Sequence, residues 1–270
     1  MVYGSNSPIN WILNLRSYGT AIRNNTTAAG WIEWSDDGQK LTYKSLELSL
    51  NNLRWAIHDQ VKEAQEQLNH LLLLPDSEPD TRARMAYIQL VYVYLERLLL
   101  LIHILGGQPA RGTELLTLRW RNSTYGDIRS IFVDNGMLCF VTSYHKNYST
   151  SSTTWIIHRY LPPEIGELML YYLWLITPFL DALYVLSKDL AWQAPDIGSY
   201  LWPDSMFAAV KGRKLHMQIS QRPVEEPWPS SHLGVVIKKL LAAALSTTIL
   251  VLLWRYAAIA MSRKHLLKGF

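Results

Sequence analysis

The dipeptide Asn135-Gly136 lies between two β-prone runs and constrains the fold more than any other short segment of this chain. Asn-Gly favours the two-residue turn of a β-hairpin, because both residues readily take a positive φ. The flanking runs are RSIFVD and MLCFVTSYH, and a third β-prone run is TTWIIHRYL. We therefore predict a three-stranded antiparallel sheet at about 129–134, 138–144 and 154–161, with Lys146 in the second turn.

Helical patterns surround these strands, so the predicted fold class is mainly α with a small three-stranded antiparallel β-sheet (α+β). One helical pattern runs from Leu41 to Leu74, and an almost wholly apolar helix runs from about Arg82 to Leu105. Further helices are expected at about 112–118, from 163 with a kink or break near Pro178, at 233–245 and at 249–267. Residues 187–231 are interpreted as loops and short pieces.

The acidic, proline-containing segment Pro75–Asp80 cannot continue a helix and is interpreted as a linker or turn. It separates a polar N-terminus and helical segment, residues 1–80, from a domain over residues 81–270. Residues 31–80 carry a net charge of −6, whereas residues 81–270 carry +8. This asymmetry indicates that the second part meets a polyanion, although ordinary solvated charge explains it equally well.

Cysteine usage and the first residues indicate a reducing, intracellular protein. Cys139 is the single cysteine, so the chain cannot form an intrachain disulfide. The segment MVYGSNSPINWILNLRS lacks the basic and apolar regions of a secretory signal. Two apolar runs, Glu167–Leu186 and Leu240–Trp254, raise a membrane hypothesis, but charged, proline or hydroxyl side chains interrupt both. We interpret them as buried helices and expect no membrane partner.

Three basic residues occupy distinctive places in this pattern. Arg111 opens a short helix after a buried one, Lys146 lies in a hairpin turn, and Arg255 interrupts an apolar helix. A guanidinium is costly to desolvate inside a core, and two rigidly held arginines can bind one phosphate through paired N–H donors. A lysine on a turn can reach the same phosphate, so the set fits a phosphodiester site. The alternatives are pairing of Arg111 with Glu114, an ordinary exposed Lys146 and a buried ion pair at Arg255.

The segment ARGTELLTLRW resembles the first-arginine box of the tyrosine recombinase/integrase family, and LLWRYAAIAMSRKH resembles the second. In that family a three-stranded sheet follows the first box and carries the catalytic lysine in its second hairpin, where Lys146 falls. Other segments resemble a fungal group of Crypton-type mobile elements and domains found beside telomere-linked RecQ-like helicases: GGQPARGTELL, FVTSYHKNYS, IHRYLPPEIGELMLYYLW and AIAMSRKHL. The resemblance covers roughly residues 82–268 and implies DNA recombination and integration as the ancestral activity.

Departures from the family pattern predict that this chain does not catalyse strand exchange. Leu252 stands where the second box has its first histidine, and Tyr256 replaces the histidine after the arginine. The nucleophilic tyrosine of the family lies some tens of residues beyond this helix, and the sequence runs to Phe270. Tyr256 is not expected to replace it, because it adjoins Arg255 on a helix expected to be buried. The chain is thus expected to keep the phosphate-binding set without the nucleophile.

The resemblance implies a nuclear, double-stranded DNA partner, possible self-association on DNA, and no cofactor or metal. The residues predicted to contact DNA are basic side chains outside the central set: Arg119, Arg121, His145, Lys211, Arg213, Lys214, Arg263 and Lys264. Two other classes stay open from the sequence. One is a membrane-associated helical protein, and the other is a degenerate fragment of a mobile-element or helicase-associated protein without activity.

Overall fold

A computed structural model describes residues 32–44, 46–73, 81–123, 125–145, 154–187, 197–211, 225–245 and 249–265, together with Ile12 and Leu15. The chain forms two compact units, residues 1–56 with 241–270, and residues 57–240. The linker predicted at residues 75–80 lies outside the described residues, so it stays a prediction. The fold is mainly helical with two small three-stranded antiparallel sheets.

The first unit contains a sheet that the sequence analysis missed. Its strands are β1 Glu33–Trp34, β2 Lys40–Tyr43 and β3 Leu46–Ser49, paired antiparallel in the order β1-β2-β3. The prediction of a helix from Leu41 is wrong, because burial alternates at every second residue along β2 and β3. Lys44 turns the chain between them with a φ of 56°.

Parts of several helices belong to this first unit. Helix α1, Leu50–Leu72, begins directly after β3 and continues into the second unit. The helix Val251–His265, numbered α8 in chain order, packs against β2. Tyr256 of this helix lies against Tyr43, with ring centroids 5.0 Å apart.

The second unit is built around helix α2, Thr81–Leu105, whose side chains are almost all buried from Val91 to Ile104. The predicted central helix is thus confirmed, although its first ten residues are mostly exposed. Arg97 joins α2 to α1, because its buried guanidinium donates to Gln60 Oε1 at 3.0 Å and to Glu63. Helix α3, Gly112–Leu116, follows α2.

The predicted sheet is confirmed in the second unit. Strands β4 Ile131–Asp134, β5 Met137–His145 and β6 Thr154–Tyr160 pair antiparallel in the order β4-β5-β6. The β4–β5 turn is the predicted Asn135-Gly136, with φ values of 50° and 76°. Positive φ at both positions is the backbone of a type I′ turn, which matches the twist of the two strands.

A continuous helix, Pro163–Ser187, follows the sheet. It comprises α4 Pro163–Tyr171, a π-helical turn at Tyr172–Ile176 and α5 Thr177–Ser187. The π turn lies just before Pro178, which has no backbone N–H to donate. The predicted disturbance near Pro178 is therefore a π turn within one helix.

Two further helices complete the second unit. They are α6 Asp204–Lys211 and α7 His232–Leu245, the latter running on into residues of the first unit. Trp202, just before α6, is fully buried, and its indole N–H donates to the carbonyl of Leu95 at 3.2 Å. Helix α6 thus begins beside the centre of α2.

Among the described residues, two helices are long and apolar enough to cross a membrane by length and composition, Thr81–Leu105 and Pro163–Ser187. The first is mostly buried inside the protein, whereas less than half of the second is buried. The prediction that the run Glu167–Leu186 is a buried helix is therefore wrong for much of its length. The run Leu240–Trp254 is divided between α7 and α8.

Candidate functional site

Arg111 lies at the N-terminus of α3 in an extended conformation, with φ −69° and ψ 151°. Its backbone N–H donates to Glu114 Oε2 at 3.1 Å, and its Nε lies 3.7 Å from Glu114 Oε1. A guanidinium has no acceptor, so the Glu114 carboxylate supplies the side-chain cap of this turn. The Arg111 side chain is half exposed, at 50%. Its guanidinium therefore reaches solvent while its backbone is fixed by Glu114.

Arg159 of β6 stabilises the loop that leads to Arg111. Its buried Nε donates to the carbonyl of Gln108 at 3.0 Å, and its guanidinium also donates to the Thr142 hydroxyl. Burial lowers the pKa of Arg159, while the negative charge of Glu114 acts in the opposite direction. The Glu114 carboxylate therefore interacts electrostatically with both Arg111 and Arg159. Sequence reasoning treated Arg159 only as part of a strand, although its inward position follows from strand alternation.

At Gly112, directly after Arg111, the starts of α3 and α7 pack tightly against each other. A side chain at Gly112 would place its Cβ 3.3 Å from the carbonyl oxygen of Ser230 and 3.5 Å from Leu233. Gly112 opens α3, and Ser230 and Leu233 flank the start of α7. The missing side chain at Gly112 therefore lets the two helix starts approach each other.

A buried polar network joins α2 to α7 and was not predicted. Glu96 accepts from His232 Nε2 at 3.0 Å and from Lys239 Nζ at 2.5 Å, and Tyr92 Oη lies 3.0 Å from His232 Nε2. Burial acts to raise the pKa of Glu96, but His232 and Lys239 outweigh it and hold that pKa at about 2. Burial, followed by the charge of Glu96, raises the pKa of Tyr92. The carboxylate is thus ionised and fixes the α2–α7 contact beside the start of α3.

Arg119 is held by partners within the protein. Its guanidinium lies 2.8 Å from Asp127 Oδ2 and 3.1 Å from Glu225 Oε2, donates to Ser199, and stacks 3.9 Å from the Tyr200 ring centroid. Its side chain is 13% exposed. A DNA contact from Arg119 would have to replace these bonds, so the geometry argues for a structural role.

The other basic residues predicted in this unit are placed differently. Arg121 is partly exposed and pairs with Asp181 at 3.2 Å. Lys211 is an exposed residue at the end of α6, with Nζ 5.6 Å from the Tyr92 ring centroid. His145 ends β5 opposite Thr154. Lys146, Arg213 and Lys214 lie outside the described residues, so their roles stay predictions.

The second predicted arginine, Arg255, lies in α8 of the first unit. It is partly buried, and within the described part of the chain no carboxylate pairs with it. The expectation of a buried helix is wrong for much of α8, where Trp254 and Ala257 are buried but Leu252 and Tyr256 are exposed. Tyr256 is 42% exposed, although its ring contacts that of Tyr43 with the centroids 5.0 Å apart.

The last turn of α8 contacts the first sheet. Lys264 Nζ lies 4.0 Å from the Trp34 ring centroid, and the His265 ring stands edge-on to Trp34 at 5.9 Å. Arg263 is exposed. Lys264 therefore has a cation–π partner within its own unit, whereas Arg263 extends into solvent.

The central predicted set is distributed over both units. Arg111 belongs to the unit of residues 57–240, and Arg255 belongs to the other unit. Their convergence on one phosphate stays a prediction. Among the described residues, no group of three or more His, Cys, Asp or Glu side chains could hold a metal ion.

Comparison of this chain with protein-family models, with curated proteins and with solved structures found no match.

Proposed function

We propose that this chain is a tyrosine-recombinase-like domain that binds the phosphodiester backbone of double-stranded DNA and does not cleave it. The observation that carries the proposal is the placement of Arg111. Its backbone is fixed by Glu114 and its guanidinium is half exposed, at the start of a helix that packs against β5. A guanidinium at such a position can donate paired N–H groups to a phosphate.

The charge distribution supports the same ligand. Residues 81–270 carry a net charge of +8, and Arg255 has no carboxylate partner among the described residues. Arg121, Lys211 and Arg263 add partly or fully exposed positive charge. Contacts of this kind recognise the sugar–phosphate backbone rather than the base sequence, so the expected binding tolerates many sequences. A nuclear location belongs to this proposal.

The absence of strand cleavage belongs to the same proposal. Leu252 and Tyr256 occupy the positions where the resembled family moves protons with histidines. Leucine cannot transfer a proton, and the phenol of Tyr256 replaces an imidazole, the group most often used for proton transfer in catalysis. Catalytic groups that act together lose several orders of magnitude in rate when members are missing. Binding of the phosphate would then persist without formation of a phosphotyrosyl bond.

Fluorescence anisotropy with a labelled duplex tests the binding. The logarithm of the association constant should fall linearly with the logarithm of salt concentration, because bound counterions are released. Arg111→Ala should weaken binding about tenfold and reduce the salt slope by about 0.9, the contribution of one phosphate contact. Lys62→Ala is the matched control, since Lys62 is an exposed cation on α1 paired with Glu66.

Two results would overturn the binding proposal: no binding at low salt by a folded sample, or equal losses in Arg111→Ala and Lys62→Ala. Cleavage is tested separately with a nicked suicide duplex and denaturing electrophoresis. We expect no covalent protein–DNA adduct. An adduct that disappears in Tyr256→Phe would show that the exposed Tyr256 hydroxyl is a nucleophile and that the chain is active.

A further inference from the structure

One side of the helix Pro163–Ser187 carries a continuous exposed apolar surface. Its large members form two groups on that face, one at Tyr171, Trp174 and Leu175 and the other at Val185 and Leu186, and we call them together the apolar stripe. Trp174 is 71% exposed and Leu186 is 69% exposed. Exposed Pro178 and Ala182 continue the same face between them.

The opposite side of this helix is fixed to the second unit. Leu168, Met169, Tyr172, Ile176 and Leu180 are buried, and the Tyr94 hydroxyl donates to the carbonyl of Leu168 at 2.8 Å. The helix is therefore anchored by one face, and the apolar stripe is presented on a rigid element.

The area of the apolar stripe is at the upper end of what a monomer exposes. An aromatic side chain offers about 150–250 Å², so the observed exposures amount to roughly 600 Å² in total. The largest apolar patch on a typical monomeric protein is about 300–600 Å². Two such surfaces facing each other would bury roughly 1,200 Å², the lower limit of specific, stable interfaces.

We infer that the apolar stripe is a self-association surface, on which a second copy of this chain packs its own Pro163–Ser187 helix in antiparallel orientation. The face is self-complementary about a two-fold axis near Pro178. Bulky Trp174 and Leu175 of one copy would meet small Ala182 of the other, and Tyr171 would meet Val185 and Leu186. Large against small is the arrangement that lets facing side chains interdigitate. Antiparallel helices also oppose their macrodipoles favourably.

The charges around the apolar stripe disfavour a lipid surface. Helices that lie in a membrane interface normally carry Lys and Arg on their polar face. The segment Pro163–Ser187 contains no Lys or Arg, and its charged residues are Glu164, Glu167 and Asp181. Glu164 and Glu167 would repel anionic headgroups, and Asp181 is already paired with Arg121, whereas a second protein copy needs no cationic face on this helix.

Sedimentation velocity of the purified chain, over a concentration series without DNA, tests the inference independently of the proposed function. We expect a concentration-dependent monomer–dimer equilibrium. Trp174→Glu and Val185→Glu should each weaken dimerisation at least about 30-fold, because a buried interface anchor is replaced by a charge. Ile156→Glu is the matched control, since Ile156 is 66% exposed on β6 and lies off the helix. The control should dimerise like the wild type.

Circular dichroism and thermal unfolding establish that each variant is folded, as expected for exposed positions. A wild-type chain that stays monomeric at a concentration of about 100 μM would overturn the inference. Equal losses of dimerisation in all three variants would also overturn it. Flotation with vesicles of neutral and of anionic phospholipid forms the last arm. Vesicle binding that Trp174→Glu abolishes, in a chain that does not dimerise, would assign the surface to lipid instead.

Discussion

Three charged side chains described in the second unit, Arg111, Arg159 and Glu96, each have a defined partner. Arg111 sits between two buried helices because its backbone N–H is capped by Glu114 and its guanidinium reaches solvent. Arg159 and Glu96 are buried, but the first donates to a loop carbonyl and the second accepts from His232 and Lys239. A buried charge that loses its partner is strongly destabilising, which makes these residues informative to replace.

We expect Glu96→Gln to change how stability depends on pH. The pKa of Glu96 is lowered from 4.5 to about 2 in the folded state, so the unfolded chain binds more protons between these values. Its stabilisation is therefore complete above about pH 5 and is lost as the pH falls toward 2. This lowering of the Glu96 pKa corresponds to about 3 kcal/mol of stability. Urea unfolding at pH 6, 4 and 3 should show the gap between wild type and variant narrowing.

Glu47→Gln provides the control for this measurement, because Glu47 is an exposed carboxylate on β3. Parallel curves for the wild type and Glu96→Gln across the acid range would contradict the account. Such a result would mean that the Lys239 and His232 contacts do not hold the carboxylate ionised.

At the scale of elements, the β4–β5 hairpin depends on its turn. Gly136 has a φ of 76°, where any side chain is strained, and Gly136→Ala should lower the free energy of unfolding by about 1 kcal/mol. Gly166→Ala is a suitable comparison, because an added Cβ there meets Leu138 at an ordinary 3.4 Å inside a helix. That variant should be neutral or slightly stabilised. Equal destabilisation in both, measured by chemical denaturation, would argue against the turn as the cause.

The hairpin was predictable because local chemistry determines it, whereas the first sheet was not. Asn135-Gly136 specifies its turn within two residues. In contrast, the turn between β2 and β3 uses Lys44 with a positive φ, which lysine rarely adopts and no sequence rule anticipates. The leucines of β2 and β3 also lie just before α1 in the sequence, so their spacing was interpreted as the beginning of the same helical pattern. Tertiary packing decided between two local interpretations.

The candidate site was predictable only in part for a similar reason. Motif spacing led to Arg111 and to its pairing with Glu114, since both lie within four residues. The support from Arg159 and the network around Glu96 joins residues 17 to 143 positions apart. Such long-range partners leave no periodic signal in one sequence, so they are identified only from distances in the three-dimensional structure.

At the scale of the molecule, the first unit depends on two distant parts of the chain. Helix α8 supplies Tyr256, Lys264 and His265 against the β1–β3 sheet. Ala257→Asp should therefore loosen this unit, because Ala257 is fully buried and an unpaired charge there costs about 3 kcal/mol or more. Hydrogen exchange should accelerate in β2 and β3 while β4–β6 stay protected.

Leu252→Asp is the matched variant for this prediction, because Leu252 lies on the same helix but is 55% exposed. It should leave exchange in β2 and β3 unchanged. Uniform acceleration across both sheets in Ala257→Asp would show instead that the two units unfold as one cooperative body.

The first unit is built from two separate segments of the chain, residues 1–56 and 241–270. Because these segments are synthesised at different times, they also set an order of folding during synthesis. The β1–β3 sheet leaves the ribosome early, yet α8 follows only after the whole of the other unit, about 180 residues later. Closing an unfolded loop of that length costs roughly 5 kcal/mol of chain entropy. The continuous unit can fold first as its own segment emerges, whereas the β1–β3 sheet waits for its helix and is open to chaperones and proteases in the interval.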